Sequence, residues 1–126
     1  MTPQSPLQPL TRQQVYDRII GAVRDFTMTG YDARRGVCVY DNSAGRHCVV
    51  GIFGSDLGLA LTEQRAVTEQ APEAIQSLER YTGLPLAALA DLQNLHDHWA
   101  QRGWRQEAFI LALNRMDIFW GCELAR

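Results

Sequence analysis

The chain has 126 residues, 46% hydrophobic and 21% charged, with a formal charge of −2. That length suits one domain whose core needs neither cross-links nor metal, and its interspersed charges form no basic stripe for nucleic acid and no block of one sign. Met1 to Leu10 has neither a positively charged start nor an apolar run, which argues against a signal peptide or membrane span there.

Residues 1–10 are therefore expected as a flexible leader, and 11–126 as a single cytoplasmic domain. Thr11 and Gln14 form a capping-box signature, after which Val15, Tyr16, Ile19, Ala22, Val23 and Phe26 recur at helical spacing, predicting a helix over 12–28 that Gly30 ends. The β-branched residues around an Asn/Ser/Gly turn predict a two-stranded ribbon, 36–41 and 46–53. If Tyr40 faces Arg46, then Cys38 faces Cys48 on one side of that ribbon. Residues 54–70 are expected as a long loop with one short helical turn. Pro72 suits the first turn of a helix to Tyr81, Gly83 stops it, and a third helix over 85–101 carries Leu86, Leu89, Leu92, Leu95, His96 and Trp99 on one stripe. The last helix, 104–117, is apolar nearly all round and is expected at the centre of the core, with 118–120 as a strand or bent tail. The fold class predicted is α+β: an N-terminal helix, a two-stranded β-hairpin, then three helices.

Cys38 and Cys48 admit three readings. They are small apolar residues packed across the ribbon, or a reactive pair with Arg46 favouring a thiolate, or part of a metal site completed by His96 or Cys122, for which the spacing is poor. His96, on an apolar stripe, must find a polar partner. It is the one residue placed to act as a base towards a sulfur. Asp97 follows it directly, so on a helix it diverges by about 100° and is a poor orienter, leaving Asp91 as the more distant choice. Gln93 and Asp97 read as an i, i+4 surface pair. His47 and His98 read as solvated. Trp99, Trp104 and Trp120 are candidate interface anchors, with core packing expected for at least two. Asp56, Glu63 and Glu69 lack calcium-site spacing, and Gly51 and Gly54 are too isolated for a phosphate loop. No cofactor is expected.

The patterns Cys38-x-Tyr40, Gly45-Arg46-x-Cys48-x-Val50-Gly51 and Leu92-Gln93-x-x-His96-Asp97 together resemble a family of small uncharacterised proteins found in bacteriophages, plasmids and bacterial genomes. The similarity spans about 25–113. It implies a hairpin-plus-helices domain in which Cys38, Cys48, His96 and Asp97 are the marked positions. The function expected first is a small cytosolic protein-binding or accessory protein of mobile-element origin, anti-defence or regulatory, with another protein as partner and neither nucleic acid nor membrane involved. The alternative is a cysteine-dependent hydrolase or transferase using Cys38 or Cys48, His96 and Asp97.

Overall fold

The computed structural model describes residues 8–25, 31–32, 37–38, 48–59, 61, 66–102 and 104–125. Helix α1, Arg12–Arg24, opens with the capping box that its sequence announces: Gln14 N donates to Thr11 Oγ1 at 3.1 Å, and Thr11 N donates to Gln14 Oε1 at 2.9 Å. Its inner face buries Val15, Tyr16, Ile19, Ile20, Ala22 and Val23. The helix ends at Arg24, before the expected limit of 28, and residues 26–30 lie outside the described set.

The predicted ribbon is not formed, and with it the α+β class falls: the fold is helical. Strands β1, Tyr31–Asp32, and β2, Val37–Cys38, pair antiparallel with Tyr31 opposite Cys38 and Asp32 opposite Val37. This two-residue ladder is the only strand pairing among the described residues. The expected second strand, 46–53, instead contributes Cys48 as N-cap and most of helix α2, Val49–Asp56. The reason is burial on every side. Val49, Val50, Gly51, Ile52, Phe53 and Gly54 are all buried, so this apolar run has no alternation and its β-branched residues yield to tertiary context. The expected turn, Asp41 to Gly45, lies outside the described residues.

The 54–70 segment carries the end of α2, a reversal at Gly58 with φ +68°, and a 3-10 turn, Val67–Glu69. Leu57, Leu59 and Leu61 fold back against the core. Helix α3, Pro72–Thr82, starts with proline and ends at Gly83 in the left-handed conformation, φ 66°. A side-chain-bearing residue pays for that φ, glycine does not. Pro85 offers no side-chain cap to helix α4, Leu86–Gln101, and Glu79 Oε2 takes the Leu86 N–H at 3.2 Å instead. Helix α5 spans Gln106–Asn114, shorter than the expected 104–117. A 3-10 turn, Asp117–Phe119, then buries Phe119 and turns Trp120 outward, so 118–120 is a bent tail and no strand.

The centre of the core is α4, not the last helix. It packs against α2, α5, the Val67–Glu69 turn and both strands, whereas α5 buries only Phe109, Ile110 and Leu113 and leaves Leu111 60% exposed. Sixteen residues give α4 the length to reach all of these elements, and α5 has nine. Two polar assemblies tie the helices. Arg18 donates twice to Asp56 (Nε to Oδ2 3.0 Å, Nη2 to Oδ1 2.9 Å) and the Tyr81 hydroxyl donates to the same carboxylate at 3.1 Å, joining α1, α2 and α3.

The second assembly clasps the segment after α5 onto α1. Tyr16 Oη donates to Asn114 Oδ1 and accepts from Ala125 N at 2.7 Å, while Asn114 Nδ2 donates to Ala125 O at 2.9 Å, closing a ring. The Gln13 amide makes a pair of bonds to the Glu123 backbone, 2.7 and 3.0 Å, and Arg12 Nη1 donates to Ile118 O at 2.8 Å. Upstream of α1, Leu10 N donates to Tyr81 O at 2.7 Å and its side chain packs on the core, so the last residue of the expected leader is docked. No helix among the described residues is long and apolar enough to cross a membrane.

Candidate functional site

Helix periodicity places Leu89, Leu92, Gln93 and His96 on the buried side of α4. The start of α2 meets this side. Cys48 caps α2, its Sγ accepting the Gly51 N–H at 3.4 Å, and is fully buried. Burial pushes the Cys48 thiol up to about 12, because a thiolate there would lose its hydration. The N–H groups of Gly51 and Val50 and the Gln93 side chain act in the opposite direction, and the Asp97 charge adds to the rise. Desolvation wins, so Cys48 is a protonated thiol at neutral pH.

On α4, Gln93 Nε2 donates to Asp97 Oδ1 at 2.7 Å, and the same oxygen lies 3.5 Å from His96 Nδ1. The His96 ring is fully buried and tilts against Trp104, centroids 5.6 Å apart, and Trp104 in turn meets Phe109 at 5.0 Å. Among the described residues Gln93 Oε1 and Trp104 Nε1 are buried without a hydrogen-bond partner. Exchanging the Gln93 oxygen and nitrogen would set its oxygen against the Asp97 carboxylate, so the orientation with Nε2 on Asp97 is the favourable one.

The structure thus brings Cys48, Gln93, His96 and Asp97 to one seam between α2 and α4. Two expectations change. Asp97, set aside as an orienter for His96, reaches its Nδ1, because the carboxylate that Gln93 holds from one turn back lies on the His96 side. Gln93, expected on the helix surface, is interior. Its position three residues before His96, on the same stripe, was the available signal. Cys38 does not face Cys48 across a ribbon: its strand partner is Tyr31, and its side chain and all of His47 lie outside the described residues. Cys48 and Cys122 are free thiols.

Trp99 and Trp104 pack against the core, while Trp120 is 91% exposed, and His98 is exposed with its ring edge-on to Trp99 at 5.1 Å. Among the described residues no group of three or more His, Cys, Asp or Glu side chains is placed to hold a metal ion. Chemically the seam is a buried polar joint whose sulfur is neither exposed nor ionised, which is the opposite of what a reactive cysteine requires. Comparison with protein-family models, with curated proteins and with solved structures finds no match to this chain.

Proposed function

We propose that this protein is a small cytosolic accessory protein that acts by binding another protein, in the mobile-element setting that its motif resemblance implies, and that the Cys48–His96–Asp97 seam serves the fold. The carrying observation is Trp120. It stands 91% exposed on a turn fixed by its own N–H to Asp117 O at 3.0 Å and by Cys122 N to Phe119 O at 3.1 Å, with Phe119 buried beneath. A large aromatic displayed on an anchored turn loses little conformational freedom on docking, and tryptophan is enriched where interfaces gain most of their energy. Leu111 and Leu124 are also exposed, at 60% and 42%. Asn114, the last residue of α5, holds Ala125, which keeps Leu124 near the end of the helix that displays Leu111. Free thiols at Cys48 and Cys122 suit a reducing compartment.

The test starts from a partner cross-linked to the purified chain in its native host, then identified and purified. Trp120→Ala is expected to weaken that complex at least about tenfold while leaving the melting temperature unchanged. Equal affinity of the two forms, or no stoichiometric partner, overturns the proposal. The competing reading, a cysteine-dependent hydrolase or transferase, draws on the backbone donors at Cys48 and on His96 with Asp97. It requires one thiol that alkylates fast near pH 7 in the folded protein, and finding that thiol at Cys48 would replace the binding role with an enzymatic one.

A further inference from the structure

Away from the Cys48 seam and from Trp120, an open cleft of about 520 Å³ is lined by Arg24, Arg105, Gln106, Glu107 and Ile110. Arg24 is the final residue of α1, Arg105 is the N-cap of α5, and Gln106, Glu107 and Ile110 lie on α5, so the two arginines reach the cleft from separate elements. Three other guanidinium groups are engaged, Arg12 on Ile118 O, Arg18 on Asp56 and Arg102 on His98 O, whereas those of Arg80 and Arg115 have no partner among the described residues. The Arg24 and Arg105 guanidinium groups make no hydrogen bond or ion pair with the described residues, and Glu107, the one carboxylate among the described lining residues, is not within ion-pair distance of either. Two like charges are thus held at one concavity, neither paired with a carboxylate of the described residues, beside the largely buried side chain of Ile110.

We propose that this cleft binds a singly placed oxyanion, phosphate or carboxylate, carried on a small apolar group. Planar guanidinium forks match the paired oxygens of either anion, and two of them set its orientation as well as its charge. Ile110 gives the apolar group a surface, and the Gln106 amide adds a donor and an acceptor. Glu107 sets the upper limit on charge, since a polyanion would bring further phosphates against its carboxylate. The formal charge of −2 for the whole chain gives no long-range attraction for anions, so selection rests on contacts within the cleft.

The probes are inorganic phosphate, phenyl phosphate and benzoate, titrated into the full chain by calorimetry, with the Ile110 methyl resonance followed by NMR. Phenyl phosphate or benzoate is expected to saturate and to shift the Ile110 signal, binding several-fold tighter than inorganic phosphate, and the tighter of the two identifies the oxyanion. Arg24→Ala and Arg105→Ala are each expected to weaken binding at least about tenfold, the loss of one charge-assisted contact. Glu107→Gln is expected to tighten it, and Arg102→Ala, outside the cleft, to leave it unchanged. All four positions of change and control are exposed, and matching melting temperatures verify the fold. Absence of saturation by all three probes up to about 10 mM overturns the proposal, and so does an Arg102→Ala effect as large as that of Arg24→Ala, which would mean diffuse surface charge. The Trp120→Ala variant keeps the cleft intact, so failure here and failure of the binding role are separable.

Discussion

Raising the pH tests whether Cys48 is sealed as its surroundings require. The thiol is pushed from 9.0 to about 12 in the folded protein, a gap of about three pH units, and at 1.36 kcal/mol each this is worth about 4 kcal/mol. Because the folded state holds the proton more tightly, this contribution is fully present below pH 9, the unfolded value, and is lost as the pH rises through about 12. No lysine titrates within this window, because all twelve Lys and Arg positions are arginine. Tyr81, also raised by burial and by Asp56, adds to the decline in the same direction. Cys48→Ser isolates the sulfur, since serine retains an N-cap acceptor for α2 and does not ionise in this range. Urea unfolding at pH 8 and at steps to pH 11 is expected to show the native chain losing stability relative to Cys48→Ser by about 1.4 kcal/mol per pH unit above pH 9. Parallel curves for the two proteins would refute the reasoning, because they would mean that the folded and unfolded thiols titrate alike.

Asp56→Ala removes the carboxylate shared by Arg18 and Tyr81. With Arg18 partly exposed, the expected loss is about 1–2 kcal/mol by urea denaturation, and no change would mean that water replaces the carboxylate at no cost. Tyr16→Phe deletes the hydroxyl at the centre of the Asn114–Ala125 ring and should cost about 1–2 kcal/mol, with faster amide exchange at Ala125 as the specific readout. Gly83→Ala forces a side chain into a left-handed φ of 66° and is expected to cost about 1 kcal/mol by thermal or urea unfolding.

The helices were legible where sequence and packing agree. Thr11 with Gln14, Pro72 with Gly83, and the leucine stripe ending in His96 each gave a local signal that burial later reinforces. Residues 46–53 were not, because Val, Ile and Phe satisfy a strand and a buried helix equally, and Cys48 as an N-cap carries none of the serine or aspartate signature that would have separated them. The last helix misled in a related way. Ala108 to Leu113 reads as apolar on all sides, yet Leu111 faces water, and hydrophobicity alone does not say which apolar residue a fold leaves outside. Of the site, Cys48, His96 and Asp97 were legible as chemistry, but their meeting place was not: it depends on α2 lying across α4, a long-range contact that spacing along the chain does not encode.

The clasp on α1 has a consequence for the order in which the protein can fold. Apart from the Arg12 bond to Gly83 O, 71 residues on, Arg12, Gln13 and Tyr16 reach partners 98 to 110 residues downstream, so α1 lacks these bonds until the segment around α5 and beyond has been made. Non-local closures of this span raise contact order and slow folding. A nascent chain that has reached only α5 would hold Tyr16 without the Phe119 ring that meets its own edge-on at 5.2 Å, exposing apolar surface to any neighbour on the same message. The segment that displays Trp120 therefore also supplies Phe119 to the core, and the exposed indole takes its place on the anchored turn as that ring docks on Tyr16.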